Sequence, residues 1–474
     1  MTIMKLYNSE TRQKEEAVFG NDGIVRMYIC GPTIYDFAHI GNFRTYLFED
    51  LLRRTLKFFG YRVIQTMNIT DVDDKTIRGA TEKKVQLREY TDPFRKAFFE
   101  DLKTLNIEPV EHYLDATDYI PEMIRLIEIL LEKGYAYQSA NGSIYFKIQQ
   151  FPSYGRLAHL QLNGQECCSG HEADEYGKES IADFVLWKAY DPERDGVIYW
   201  ESPFGKGRPG WHIECSAMAM KSLGETIDIH CGGIDNLFPH HENEIAQSEC
   251  CTGKRFVRYW LHSEHLLVNH QKMSKSLGNF YTLRDLLNKG YLGIEVRFHL
   301  ISSHYRTQLN FSFQGLDSAR ASLARIKAYV LRLKELSQQT STRSCSPTGV
   351  EEILKQADLA FRESLADDLN ISAALGVFFD LIREINALAD AGKVGVKEAL
   401  AALALWDEWN LVFGFLLKDP SEDIPEEVVE LLKQRDSARR SRNFSLSDEL
   451  RYAIEQKGYW VEDTPTGSRL HFKK

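Results

Sequence analysis

The chain has 474 residues, 43% hydrophobic and 27% charged, which sets it among folded soluble proteins and above the size that one core organises, so roughly two to four domains are expected. No apolar run approaches the roughly 18 residues of a membrane span, and the opening Met-Thr-Ile-Met-Lys-Leu-Tyr lacks the order of a secretory signal, so the expected location is cytoplasmic, with no membrane partner. A formal net charge of -10 excludes a general attraction to polyanions, and the eight cysteines (Cys30, Cys167, Cys168, Cys215, Cys231, Cys250, Cys251 and Cys345) are too sparse for a disulfide framework.

In chain order, residues 24 to 30 read as a short apolar strand stopped by Gly31-Pro32. A loop follows, and then a helix for which Asn42 is the expected N-cap, with Leu47, Leu51, Leu52, Leu56 and Phe59 at helical spacing and Gly60 at its end. Val63 to Ile69 reads as a second buried strand. Strand, loop, helix, strand opens a parallel α/β sheet of Rossmann type, whose ligands lie at the carboxyl ends of the strands. Polar residues 163 to 180 fit a loop inside an inserted module. Beyond about 316 the pattern turns helical, with Leu323, Ile326, Val330 and Leu333 on one face and further helices over 351–366, 371–389 and 397–416. Residues 337–349 read as a connector, and 418–425 as a domain boundary.

Three constellations carry chemistry. Cys-Gly-Pro-Thr-Ile-Tyr-Asp-Phe-Ala-His-Ile-Gly-Asn, residues 30 to 42, joins strand to helix. Gly31 and Gly41 admit a ligand close to the backbone, and His39 offers a donor to phosphate where the helix N-terminus is electropositive. Lys272-Met273-Ser274-Lys275-Ser276 is a doubly basic loop suited to a pyrophosphate leaving group. Trp211-His212-Ile213-Glu214-Cys215-Ser216 and Pro239-His240-His241-Glu242-Asn243-Glu244 form the third. If Pro239 opens a helix, His240 and Glu244 share a face, and with Cys30 and Cys215 they offer a donor set that suits zinc. On spacing alone, buried single cysteines and a solvated helix start account for the same residues.

The first two strings together resemble the paired His-Ile-Gly-His and Lys-Met-Ser-Lys-Ser elements of class I aminoacyl-tRNA synthetases, with Asn42 replacing the last histidine. With the third they resemble the cysteinyl-tRNA synthetase pattern over almost the whole chain. That resemblance implies ATP-dependent formation of cysteinyl-adenylate from L-cysteine, then transfer to cysteine tRNA, with His39, Asn42, Lys272 and Lys275 catalytic and His39, Gly41, Asn42 and Lys275 on ATP. It implies zinc, one per chain, on Cys30, Cys215, His240 and Glu244, and Mg2+ with ATP. Gly31, Thr70, Trp211 and His230 match strings near the family's amino-acid pocket. Cysteine and serine differ by one atom, which a pocket working by size discriminates poorly, whereas a metal prefers sulfur.

The expected organisation is a Rossmann-type catalytic domain over 1–118 and 210–245, an inserted connective module over 119–209 and a linking region with the basic loop over 246–316. A helical bundle over 317–417 and a small C-terminal domain over 418–474 complete the α/β fold, in an enzyme expected to be monomeric. The last domain carries five basic side chains against one acid across 433–443, with Phe444, Tyr459 and Trp460 nearby, a composition that suits the bases of an anticodon loop. By the same resemblance Arg439, Asp448 and Asp463 are candidates for reading anticodon bases, and Phe444, beside the basic run, is a further expected tRNA contact. Rival readings are a cysteine ligase of the same ancestry acting on an amino sugar, a zinc hydrolase, which leaves the lysine loop unexplained, and a non-catalytic RNA-binding protein, which explains only the tail.

Overall fold

The computed structural model describes residues 3–20, 22–160, 182–274, 277–339, 349–417, 425–464 and 467–472. Lys275, Ser276, Cys167, Cys168, Cys345 and most of the two expected connectors lie outside the described residues. Two compact units divide the chain, Met1–Phe415 and Leu416–Lys474.

The first unit is built on a five-stranded sheet. Its strands are β1 (Ile24–Ile29), β2 (Arg62–Ile69), β3 (His112–Asp115), β4 (Ile227–Gly233) and β5 (Val257–Ser263), in the spatial order β5-β4-β1-β2-β3, every pair parallel. Three helices frame the site: α1 (Ile40–Phe58), α2 (Trp211–Leu223) and α3 (His240–Thr252). β1 and β2 are buried almost throughout, as a parallel strand covered on both faces must be. From β1 the chain winds outward to β2 and β3, then returns to lay β4 on the other side of β1. The strand order reverses between β1 and β4, where a crevice opens at the carboxyl ends. Cys30 and Gly233 end their strands there.

Between β3 and α2 the chain builds a separate antiparallel sheet from Ala136–Gln138, Ile144–Phe146, Phe184–Ala189 and Gly207–Pro209. Lys188 and Arg208, both nearly fully buried, pair with Asp74 at the start of the helix Asp74–Lys83, and Arg208 also with buried Asp195, tying this sheet to the catalytic half. Four helices, Phe313–Ser337, Val350–Ala366, Ile371–Asp390 and Val396–Phe413, form the bundle. Leu323, Ile326, Val330 and Leu333 are buried on one face of the first, and Phe361 stacks on Trp409 with centroids 4.2 Å apart.

The expected N-cap of α1 is corrected. The cap is His39, whose Nδ1 accepts the Asn42 amide (3.2 Å) while Asn42 Oδ1 accepts the His39 amide (3.1 Å). Asn42 is thus the third helical residue of a reciprocal capping box, a pattern hidden in sequence because histidine is not among the usual caps.

The second unit has two helices, Glu426–Arg440 and Phe444–Gln456, and an antiparallel hairpin of Tyr459–Thr464 and Gly467–Phe472. Val428, Ile454 and Val461 form its core. Arg435, nearly fully buried, reaches Asp463 at 2.9 Å.

Candidate functional site

A cavity of about 320 Å³ lies at the reversal point, lined at one end by Cys30, Gly31, Trp211, Cys215 and His240 and at the other by His39, Gly41, Asn42, Lys272 and Met273. Both glycines are required by contact. A Cβ on Gly31 would lie 1.7 Å from the Asn68 carbonyl oxygen, and one on Gly41 would meet the His39 ring at 2.9 Å and Met273 at 3.1 Å. The Gly31 amide donates to Asn68 Oδ1 (2.8 Å), fixing the turn after β1.

At the first end, one ligand atom each of Cys30, Cys215, His240 and Glu244 lies within 4.8 Å of the others, and all four residues are buried. Cys30 comes from the end of β1, Cys215 from α2, and His240 and Glu244 from successive turns of α3. His240 Nε2 and Glu244 Oε1 stand 3.1 Å apart, and neither makes a hydrogen bond among the described residues. Two buried polar atoms aimed at one point beside two thiol sulfurs suit a tetrahedral divalent ion of borderline softness. Burial raises the Cys30 thiol well above its ordinary value, assisted by Cys215. It raises Glu244 likewise and lowers His240, with His212 and His230 adding to the latter. A dication among them reverses that penalty for thiol and carboxyl.

Around the four stands a shell of which the sequence pointed to Trp211 and His230 but not to His212, His241 or His262. His212 Nδ1 lies 2.9 Å from His240 Nδ1, leaving Nε2 of His240 as the ligand atom, and Trp211 stacks on the same imidazole. His230 Nε2 lies 3.0 Å from Glu244 Oε2, the oxygen turned away from His240. His241 Nε2 lies 3.3 Å from Cys30 Sγ, and its Nδ1 lies 2.8 Å from His262, itself hydrogen-bonded to Ser9. Cys30, His230, His241 and Glu244 also bring ligand atoms within 4.8 Å of one another, but each of these imidazoles already orients one of the first four. The available signal was the doubled ring pattern, Trp211-His212 and His240-His241, each setting a second ring beside a metal-facing residue.

Thr70 is set one layer behind the cavity: its hydroxyl donates to Glu214 (3.2 Å) and accepts from Asn68 (3.0 Å). His230 and Glu244 also do not line the cavity. Cavity-lining residues missed in the sequence include Asn68, Asp235, Ser263 and Glu264.

At the other end the lysine strand is joined to the helix start. Ile40 donates to the Tyr281 carbonyl (3.0 Å), His39 and Thr282 form a β-bridge, and the His39 ring meets Phe280 edge-on. Asn279 staples the loop, accepting from the Ser274 amide (2.8 Å) and donating to the Lys272 carbonyl (3.2 Å). The exposed Lys272 is thereby held on the rim facing α1.

In the second unit Arg439 pairs with Asp463, which Arg435 also holds, and Phe444 and Asp448 are exposed on the second helix. The two arginines, Arg435 first, pull the Asp463 carboxyl well below the ordinary range.

Comparisons with known proteins agree with this geometry. Residues 17–321 match the family described as tRNA synthetases class I (C) catalytic domain, and residues 360–418 match the DALR domain. The chain is 56% identical over 470 residues to the cysteine–tRNA ligase of Protochlamydia amoebophila (strain UWE25), covering 98% of this chain and 97% of that one. It is 53% identical over 469 residues to the cysteine–tRNA ligase of Chlamydia pneumoniae, with the same coverage of both chains. Among solved structures, Mycobacterium tuberculosis methionyl-tRNA synthetase bound by methionyl-adenylate superposes with a TM-score of 0.61 at 13% identity, covering 82% of this chain and 88% of that one, a likeness of fold. Among the described residues no helix is long and apolar enough to cross a membrane.

Proposed function

This chain belongs to the cysteine–tRNA ligase family of class I tRNA synthetases, and on that footing we propose that Cys30, Cys215, His240 and Glu244 hold one zinc ion through which cysteine is told from serine. The observation that carries the proposal is the convergence of those four ligand atoms, within 4.8 Å of one another, with Cys30, Cys215 and His240 lining one end of the cavity and Glu244 behind them.

The enzyme ligates cysteine to tRNA with ATP. In the first step the cysteine carboxylate attacks the α-phosphorus and pyrophosphate departs; in the second a terminal ribose hydroxyl of the tRNA takes the cysteinyl group. Bound at the four ligands, the ion would act as a Lewis acid that accepts sulfur far more readily than a hydroxyl. The remaining work is positioning and charge stabilisation by the chain itself, with no side chain acting as a covalent nucleophile. Trp211 walls the amino-acid end, and His230 orients Glu244. His39 and the amides opening α1 meet the phosphates, Asn42 holds His39 in place, and Lys272 with Lys275 takes charge developing on pyrophosphate.

In this reading the enzyme works as a cytoplasmic monomer, with magnesium accompanying ATP. Arg439, Phe444, Asp448 and Asp463 of the second unit read the anticodon. An amino-sugar acceptor is disfavoured because it leaves the DALR-matched helices and the basic tail without a use.

The test is ATP–pyrophosphate exchange with cysteine and with serine, before and after chelation. Exchange with cysteine should collapse on metal removal and return with zinc, while serine stays inert throughout. Comparable exchange with serine, or indifference to the chelator, would overturn the proposal.

A further inference from the structure

Arg284 belongs to neither of the two strings that face ATP, yet its guanidinium stands where three segments meet. It lies on the short helix Leu283–Asn288, just beyond the lysine loop. Thr282 caps that helix, accepting the Asp285 amide (3.2 Å) on its hydroxyl while Asp285 accepts the Thr282 amide (2.8 Å). The seating of this helix therefore fixes the downstream end of the loop.

Arg284 reaches in two directions. Toward the helix Leu87–Thr104 it donates to the Ala97 carbonyl (3.0 Å) and to Glu100 (3.3 Å), and it lies 3.3 Å from the buried Asp101. Toward the loop of residues 30 to 42 it lies over the Phe37 ring, 5.1 Å from the centroid. Phe37 in turn meets Phe94 of the long helix edge-on at 5.4 Å. The same helix holds that loop again through the Tyr90 hydroxyl, which donates to the Tyr35 carbonyl (3.0 Å). It also holds α1, where Phe98 packs on Phe43 and Tyr46. One platform thus carries the loop of residues 30 to 42, α1 and, through Arg284, the segment that follows the lysine loop.

The two strings act on one nucleotide, so their spacing decides how well charge on the departing pyrophosphate is met. The Ile40–Tyr281 hydrogen bond and the His39–Thr282 bridge set that spacing, and Arg284, two residues past the bridge, ties it to the platform. A guanidinium suits this task. Its donors point in fixed directions and its plane packs on a ring, so it sets an angle as well as a distance, which a flexible ammonium does not. Resting on the tRNA ligase reading, we propose that Arg284 is a positioning residue for cysteine activation: by bridging Phe37 and the helix Leu87–Thr104 it holds the lysine loop against the opening of α1, and it has no part in transfer to tRNA.

The experiment separates the two steps in the full-length, zinc-loaded enzyme. Wild type, Arg284→Ala, Arg284→Lys, Phe37→Ala and the Arg284→Ala, Phe37→Ala double variant are compared. Single-turnover formation of cysteinyl-adenylate is measured first, then single-turnover transfer to tRNA from adenylate already formed on the enzyme. Arg284→Ala should slow adenylate formation at saturating substrates by roughly ten-fold or more, with KM for cysteine and the transfer rate within about two-fold of wild type. Arg284→Lys should recover only part of the loss. The double variant should be little slower than Arg284→Ala, because both residues act through one contact. Phe37 is 40% exposed, so Phe37→Ala should keep its fold and slow the same step even if Arg284→Ala folds poorly. Undiminished adenylate formation in Arg284→Ala and Phe37→Ala, an equal fall in transfer, or fully additive losses would overturn the proposal. Absence of cysteine-dependent exchange in wild type would instead sink the ligase reading.

Discussion

The indole of Trp211 lies flat on the imidazole of His240, centroids 4.2 Å apart and planes 19° from parallel, so a residue that lines the cavity also sets the rotation of a ring proposed to hold the metal. Helix α2 begins at Trp211 and carries Cys215 one turn later, so one short helix delivers a ligand and the support of another.

Trp211→Ala should therefore weaken zinc before it weakens folding. Loss of a supporting contact around a metal ligand lowers affinity by roughly 10 to 100-fold. Competition with a chromophoric chelator checks this, with thermal melting as the control. Unchanged zinc affinity with a raised KM for cysteine would leave Trp211 a pocket wall only.

Cys215→Ser should reduce bound zinc to a small fraction of one per chain and abolish cysteine-dependent exchange. Serine differs from Cys215 by one atom and its hydroxyl would face Cys30, His240 and Glu244, polar groups that can receive it, so the variant should keep its fold. Metal analysis of the purified variant decides; full zinc content would remove Cys215 from the ligand set.

Asn42→Ala should cost about 1 kcal/mol, as loss of a helix cap does, and slow exchange as His39 loses its brace. Asn42→His should leave exchange unchanged or faster. A ten-fold loss in Asn42→His, measured by pyrophosphate exchange at saturating ATP, would contradict the assignment.

A pH effect follows from Asp101, whose carboxyl is pushed up to about 6 by burial against the opposing pull of Arg284. The folded state holds this proton to higher pH than the unfolded chain, whose carboxyl ionises near 4. The stability it contributes is therefore complete below about pH 4 and lost as the pH rises through about 6. Asp101→Asn should gain on wild type over that interval, read from urea midpoints at about pH 4.5 and pH 7.5. An equal offset at both would show that the carboxyl ionises normally.

Removing residues beyond 417 should preserve exchange and eliminate charging, since the four proposed zinc ligands, α1 and Lys272 all lie within the first compact unit. Charging at the full rate would make the tail dispensable.

Much of this was legible in the sequence. β1 and β2 are short runs rich in Val, Ile and Met, the first closed by Gly31-Pro32 and the second opened after Gly60, and such local signals survive folding unchanged. The four residues whose ligand atoms converge stood in recognisable strings, and α3 begins at His240, placing His240 and Glu244 on one face. What stayed hidden depends on distance along the chain. Ser9 reaches His262 across 253 positions, and Arg284 meets Ala97 across 187. No periodicity records such pairings, so His241 and His262 of the histidine shell and the seat of Arg284 appear only once the chain is folded. The cap at His39 was hidden differently, because it uses an imidazole where a hydroxyl, amide or carboxylate is usual.

That cap also settles where a hydrogen atom sits. With Nδ1 of His39 accepting the Asn42 amide, the neutral ring carries its hydrogen on Nε2. In the proposed phosphate-facing role, that nitrogen is a donor without any ring charge, so recognition there rests on a directed hydrogen bond and not on an ion pair. Asn42, unable to carry charge itself, leaves the helix opening to greet the nucleotide with oriented dipoles.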